Sequence, residues 1–248
     1  MKSYAENNWA LPITGKRADG FHDLETVFQT ISLHDDLTFR AADKLSLTCD
    51  DATIPTDETN LVLRAARMLD APPMAIELRK RIPAGGGLGG GSSNAATTLL
   101  ALGGDRSDLP QLALSLGSDV PFFLLGGTAY ATGRGELLTP LPPMSGIPLL
   151  LLLPEERVLT KDAFARITRY SSPLGIDAYT RGFESFTNDF EEPVFALLPR
   201  LRDLKQRLYG AGPTWASMTG SGSTIVGAFA DTAARDAAAG AFDDLRVE

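Results

Sequence analysis

The residues of this 248-residue chain best suited to chemistry lie in Ile82-Pro-Ala-Gly-Gly-Gly-Leu-Gly-Gly-Gly-Ser-Ser-Asn-Ala-Ala96. Successive glycines leave backbone N–H groups unobstructed by Cβ atoms, so several can converge on one anion. The small-residue helix expected to follow aims the positive end of its dipole at the same point. Ser92 and Ser93 stand at that helix start, where a hydroxyl can cap the helix, touch a phosphate or ligate Mg²⁺. The bland alternative is a flexible turn before a capped helix. Six glycines within Gly85–Gly91 exceed what such a turn requires, so the run predicts a phosphate-binding loop. Gly85, Gly87 and Gly90 formally satisfy G-x-G-x-x-G with Asp105 downstream. A dinucleotide fold would need a helix and a second strand before that acid, and Thr97–Gly104 has no room for both. A Walker A loop requires Gly-Lys-Ser/Thr after the glycines, and no lysine stands there. The H-R-D and D-F-G signatures of protein kinases are also absent.

Other residues say less by themselves. Asp119, in Ser118-Asp-Val-Pro-Phe-Phe123, reads alone as a turn or helix-cap aspartate. His22, in Gly20-Phe21-His22, reads first as a satisfied structural histidine, and His34, in Leu33-His-Asp-Asp36, as a turn residue. Thr219-Gly-Ser-Gly-Ser-Thr224 is a further glycine-rich turn. Cys49 is the only cysteine and closes the alternating run Leu45-Ser-Leu-Thr-Cys49, which reads as a strand. A lone cysteine forms no intrachain disulfide and fits a reducing compartment.

The elements that must position these residues alternate along the chain. Leu24–Leu33 reads as a strand, Asp35-Asp36 as a turn, and Leu37–Phe39 and Leu45–Cys49 as further strands. Asn60–Leu69 has helical apolar spacing, and Met74–Ile82 is a strand entering the glycine loop. Ser92–Leu102 and Leu109–Leu116 read as helices, and Pro121–Tyr130 as strand-like. Prolines at 140, 142, 143 and 148, with Gly146, predict a domain boundary. The expected architecture is α+β in two lobes, an N-terminal domain at 1–142 and a C-terminal domain at 143–248. In the second, Leu149–Leu153 is a buried strand, Val194–Leu208 a helix, Ile225–Phe229 a strand and Ala233–Phe242 a helix. The net charge of −8 argues against a general nucleic-acid binder, which needs a basic face. No stretch is apolar for long enough to span a bilayer, and Met1–Trp9 lacks the apolar core of a signal peptide. A cytoplasmic protein is expected, without nucleic-acid or membrane partners, as a monomer or weak homodimer.

Taken together and in order, these motifs resemble those of the GHMP superfamily of small-molecule kinases, in the form used by its diphosphocytidyl-methylerythritol kinase branch. The segment from Pro83 to Ala96 resembles the second GHMP motif, and Thr219–Thr224 the third. Thr14-Gly-Lys-Arg-Ala-Asp-Gly-Phe-His-Asp-Leu-Glu-Thr-Val-Phe-Gln29 is similar to that branch's substrate-side segment, and Ser118–Phe123 to the segment bearing its catalytic aspartate. Asn60-Leu61-Val62 and Asn188-Asp189-Phe190-Glu191 match weaker landmarks. The resemblance implies a two-lobed GHMP kinase fold with ATP and Mg²⁺ as cofactors. The implied reaction carries the γ-phosphoryl group to the 2-hydroxyl of a substrate bearing a cytidine diphosphate group. ATP would be held by Pro83, Ala84, Gly85, Gly86, Gly87, Leu88, Gly89, Gly90, Gly91, Ser92 and Ser93, with Ser92 or Ser93 on Mg²⁺. Asp119 would orient or deprotonate the acceptor hydroxyl. Asn8, Phe21, His22, Gly220 and Ser221 would bind substrate, His22 meeting the cytosine and Phe21 stacking on it where tyrosine is common. The family opens on Pro-Ala-Lys-hydrophobic-Asn. That segment falls on Tyr4-Ala-Glu-Asn-Asn8, which puts Glu6 at the lysine position. Three readings follow: an active kinase of this branch, a catalytically weakened nucleotide-binding homologue, or a GHMP kinase for another small alcohol.

Overall fold

The computed structural model describes residues 1–183 and 185–248. In chain order its strands and helices begin with β1 (Lys2–Asn8), β2 (Ile13–Lys16), β3 (His22–Leu24), β4 (Thr26–Ala41), β5 (Ser46–Cys49) and α1 (Leu61–Met68). They continue with β6 (Met74–Arg79), α2 (Gly90–Gly103), α3 (Leu109–Leu116), α4 (Val120–Leu125), β7 (Thr128–Thr132), β8 (Leu137–Leu141) and β9 (Leu149–Leu153). After α5 (Thr160–Ala165) and a 3₁₀ turn at Ile176–Arg181 come α6 (Glu191–Leu197), α7 (Pro199–Gly210), β10 (Trp215–Met218), β11 (Ile225–Ala228), α8 (Thr232–Ala239) and β12 (Arg246–Val247).

Two compact units interleave along the chain. One comprises Met1–Glu6, Thr30–Ala84 and Gly89–Gly126, and the other Asn7–Gln29, Gly85–Leu88 and Gly127–Glu248. A single cut at 142/143 is therefore not the division of the fold. The proline-rich stretch lies inside the second unit, because β8 pairs with β7 as far as Leu141 and β9 belongs to the same unit.

In the first unit, the C-terminal half of β4 pairs antiparallel with β6 from Asp36↔Arg79 to Ala41↔Met74, and β5 runs parallel to β6. Leu37, Leu47, Val62, Ala66, Ile76 and Leu78 form the core under α1. Ala65, Ala95, Ala96, Leu99, Ala113 and Val120 form a second core among the helices, where alanines let helix backbones approach closely. Asn60 caps α1, its side chain accepting from the Val62 N–H at 2.9 Å. In the second unit, β10-β11-β9-β12 form an antiparallel sheet. Its apolar residues pack with Leu201, Leu204 and Leu208 of α7 and with Phe190 and Phe242. The purely aliphatic β9 is buried on both faces, which explains its unbroken leucine run. There too the N-terminal half of β4 pairs with β7.

Four local expectations are corrected. Asp35-Asp36 is no turn, for β4 runs straight through it. The Asp35 carboxylate is fully buried and accepts from the Arg81 and Ile82 N–H groups at 2.7 and 2.9 Å, from Lys80 Nζ at 2.5 Å and from Asn94 Nδ2 at 2.9 Å. His34 accordingly lies in a strand. Pro121–Leu125 is helical rather than extended, with Pro121 in the first turn of α4 and Gly126 at φ 67° ending it. The helix expected over Val194–Leu208 is two helices, parted at Leu198 before Pro199.

Candidate active site

The first unit holds one group of the candidate residues. Gly89 has φ 65° and is the N-cap of α2. A Cβ there would lie 2.4 Å from the Phe123 ring and 3.0 Å from Glu6 Cγ. Glycine is required for both reasons, the left-handed backbone and the close approach. Ser93 is buried and already committed. It donates to the Tyr4 carbonyl at 2.6 Å, so Ser3 donates to it at 2.7 Å, and Asn94 Nδ2 donates to Ser3 at 2.9 Å. This chain of bonds pins β1 to the start of α2. Ser92, half-buried, is the hydroxyl that remains open at the helix N-terminus.

Glu6 lies in β1. It is 4% exposed, its Oε2 has no hydrogen-bond partner among the described residues, and it lies beside Asp119. Burial first, and the Asp119 charge second, push its carboxyl well above the ordinary range. Asp119 precedes α4 and keeps a solvent-exposed edge. Enough protein surrounds its carboxyl that burial pushes it up to about 6. A carboxylate that is crowded yet reachable by water can accept a proton near neutral pH. Lys80, missed in the sequence, brings a buried ammonium to within 3.1 Å of a Cβ placed at Gly90, though Asp35 neutralises it.

The second unit holds the rest. Gly85–Leu88 packs backbone to backbone on the third glycine segment. A Cβ at Gly87 would stand 2.3 Å from the Thr219 carbonyl, and one at Gly220 would stand 2.8 Å from the Gly87 carbonyl. The Thr224 N–H donates to Gly86 O at 3.1 Å. Asn8 supports this segment, its N–H donating to Thr219 Oγ1 at 3.0 Å and its Nδ2 to Thr26 Oγ1 at 2.9 Å. Asn188 Nδ2 donates to the Met218 and Gly220 carbonyls. Ser221 pairs with Thr160 at 3.0 Å. Arg157, which no motif announced, lays its stem against Gly85, with Cδ at 3.4 Å from a Cβ there. Two backbone carbonyls, of Pro154 and Glu156, hold its guanidinium at 2.5 and 2.9 Å.

His22 and Phe21 sit on the β2–β3 hairpin. His22 stacks on Phe164 at 5.0 Å with 20° between the planes, and Tyr170 stands 6.3 Å away. Burial, then Lys16, lower the His22 pKa, favouring a neutral ring with one donor and one acceptor. Phe21 is 52% exposed, with the Arg134 guanidinium 4.5 Å over its face. Arg17 is spent on Asp19 and Asp23. Phe164, Tyr170 and Arg134 escaped sequence reading because each is brought to the hairpin by tertiary packing from a segment with no motif.

Comparison with known proteins shows the family. Residues 60–127 match the model of the GHMP kinases N terminal domain, and residues 177–245 that of the GHMP kinases C terminal. The chain belongs to the GHMP kinase family, whose members are ATP-dependent small-molecule phosphotransferases, and it has the GHMP kinase fold. It is 41% identical over 254 residues to a protein of Chlorobium luteolum named 4-diphosphocytidyl-2-C-methyl-D-erythritol kinase, with 92% of this chain and 88% of that protein aligned. A crystal structure of 4-(cytidine 5'-diphospho)-2C-methyl-D-erythritol kinase superposes with TM-score 0.86 at 33% identity, covering 100% of this chain and 97% of that one. The mevalonate kinase of Methanococcus jannaschii, 14% identical at TM-score 0.73, shares the fold. Among the described residues, no helix is long and apolar enough to cross a membrane.

Proposed function

We propose that this chain transfers the γ-phosphoryl group of ATP to the 2-hydroxyl of 4-diphosphocytidyl-2-C-methyl-D-erythritol. The observation that carries the reading is the identity of about two residues in five with relatives of that name over nine-tenths of the chain, joined to the Asp119 carboxyl set near 6. Asp119 accepts the proton of the 2-hydroxyl as its oxygen bonds to the γ-phosphorus, and the bond from that phosphorus to the β-phosphate bridging oxygen breaks to release ADP. Such transfer relies chiefly on positioning and charge neutralisation. The N–H groups at the start of α2 and the Ser92 hydroxyl face the phosphates, while Arg157 adds positive charge beside Gly85. His22 offers one donor and one acceptor to the cytosine edge, with Phe21 and Phe164 as stacking faces. Gly220 and Ser221 line the acceptor side, and Asn8 holds their loop.

Mg²⁺ fits this donor set. It binds through few protein oxygens plus phosphates and water, and among the described residues no cluster of three or more acidic, histidine or cysteine side chains exists for a caged metal. Ser92 would hold it with the phosphates, and it would supply neutralisation of phosphate charge.

One observation favours the second reading, a weakened homologue: the buried Glu6 carboxyl beside Asp119 adds no positive charge where phosphate charge must be stabilised. A coupled ADP-release assay with and without the diphosphocytidyl substrate decides. Acceptor-dependent ADP release supports the kinase, and nucleotide binding without acceptor-dependent turnover supports the homologue.

A further inference from the structure

Glu25 has no assigned part in the chemistry, yet it is the centre of a dense arrangement in the second unit. It is 9% exposed, and its Oε2 accepts from the Leu174 N–H at 2.5 Å and the Gly175 N–H at 2.9 Å. The Tyr130 hydroxyl is hydrogen-bonded to the same carboxylate. Burial, with Glu25 beside it, pushes that phenol up to about 12, so it remains a donor. The Glu25 N–H is itself tied to the Pro12 carbonyl at 3.0 Å. At the other end of the same segment, the Ser171 N–H donates to Ile13 O at 2.9 Å. Ser171–Gly175 is thus fastened at both ends to the strand pair that carries His22.

The consequence is positional. Tyr170 directly precedes the fastened segment and its ring stands against His22, only three residues before Glu25 in sequence. Arg166–Ser171 lines a recess of about 580 Å³ together with Asn188, Asp189 and Glu191. A buried carboxylate with converging donors is geometrically demanding, since bonds to a charged acceptor are about twice as strong as neutral ones.

We propose that Glu25 is a positioning residue for the acceptor: its carboxylate fixes Ser171–Gly175 and thereby holds Tyr170 at His22, the residue read as meeting the flat heteroaromatic base. The proposal rests on the reading of the His22 segment as the acceptor-binding end. Glu25→Ala frees the two backbone N–H groups and lets Tyr170 move. Glu25→Gln keeps an accepting oxygen, and Tyr130→Phe removes one donor from the Glu25 carboxylate and so loosens the segment less than Glu25→Ala does.

The test measures KM for the diphosphocytidyl acceptor and for ATP, inhibition by CDP, kcat and Tm in these variants. In Glu25→Ala, the acceptor KM and the CDP inhibition constant rise roughly tenfold, while the ATP KM stays within about twofold. Glu25→Gln recovers to within about threefold of wild type, and Tyr130→Phe falls between wild type and Glu25→Ala. An unchanged acceptor KM in Glu25→Ala, or acceptor and ATP KM rising together, overturns the proposal. If Glu25→Ala does not fold, wild-type acceptor KM in Tyr130→Phe overturns it. CDP that competes equally well in wild type and Glu25→Ala refutes only the role of Glu25. CDP that fails to compete with the acceptor in wild type refutes the acceptor-site reading itself.

Discussion

The pH dependence of turnover tests the environment of Asp119 directly. A general base must be ionised before it can accept the hydroxyl proton. With its carboxyl at about 6, Asp119 is about 91% ionised at pH 7 and about 9% at pH 5. The kcat/KM for the acceptor therefore falls about tenfold between those two values. An aspartate solvated as freely as its exposed edge suggests would titrate near 3.9 and lose less than about a tenth of its activity over the same range. Mg-ATP and the acceptor carry their own titrating groups, so the decisive measurement is a comparison between variants. Glu6→Lys places an ammonium beside Asp119, and a cation so close lowers a carboxyl by roughly 1–3 units. Its profile then falls by no more than about twofold down to pH 5, and its turnover at pH 7 rises, because a cation stabilises the transferring charge. Asp119→Asn loses about 10²–10⁴-fold at pH 7 and has no break near pH 6. The assay is coupled ADP release under saturating Mg-ATP from pH 4.5 to 8. A flat wild-type profile, or the same break in wild type and Glu6→Lys, refutes the reasoning.

Four further outcomes follow from particular contacts. A Cβ at Gly91 meets nothing nearer than Leu61 Cδ1 at 4.0 Å, so Gly91→Ala stabilises α2 by about 0.5–1 kcal/mol. It raises Tm by a few degrees while weakening ATP roughly tenfold by calorimetry; a higher Tm with unchanged ATP affinity moves the phosphates elsewhere. Asn7 is fully buried and neither polar atom of its side chain has a partner among the described residues, so Asn7→Val stabilises by about 1–3 kcal/mol, read as a higher melting temperature. Arg157→Ala weakens ATP roughly tenfold and Arg157→Lys less, with the acceptor KM unmoved. The Glu6 carboxyl is raised in the fold, so its neutral form supports folding most fully below the ordinary carboxylate range, and that support is lost as pH rises through the folded value. Glu6→Gln therefore gains Tm relative to wild type on going from pH 5 to pH 8, and a constant difference would show that Glu6 does not titrate abnormally.

What the sequence disclosed depended on whether the signal was local. Asn60 before an apolar periodic run, Gly103-Gly104 after one, and the alternation closing at Cys49 located α1, α2 and β5 to within a residue or two of their ends. Asp35 misled because its type favours turns, whereas three donors from the residues after β6 and one from α2 make it a buried acceptor within a strand. Pro121-Phe-Phe-Leu-Leu125 misled because bulky apolar and aromatic composition outweighed the proline that starts a helix. The strand β1 was hidden by its own polarity, since Glu6, Asn7 and Asn8 occupy buried positions where apolar residues are normal. In the candidate site, the residues carried by motifs were legible, while Phe164, Tyr170, Arg157 and Glu25 were not. Phe164, Tyr170 and Arg157 lie in segments with no motif and meet motif residues only through the fold, while Glu25 lies within the substrate-side segment but has partners at Tyr130, Leu174 and Gly175, far away in sequence.

The glycine run illustrates why a motif can be legible while its reason is only half read. Anion binding, as proposed, would account for open backbone at the start of α2, where Gly91 is exposed and a side chain would meet little protein. It does not account for Gly87, whose missing Cβ is demanded by the Thr219 carbonyl, nor for Gly89, where Phe123 and Glu6 already fill the space. Those two glycines are needed with or without a ligand, so valine at Gly89 would damage the fold and nucleotide binding together and discriminate nothing. Glu6 calls for the same separation. A charged carboxylate there would repel a phosphate, but burial favours its neutral form. An acid whose neutral form is favoured by burial removes the lysine's cation and carries less negative charge than a solvated carboxylate would. On that argument Glu6→Gln stays close to wild type in turnover and only Glu6→Lys exceeds it, an ordering that a permanently charged Glu6 would not produce.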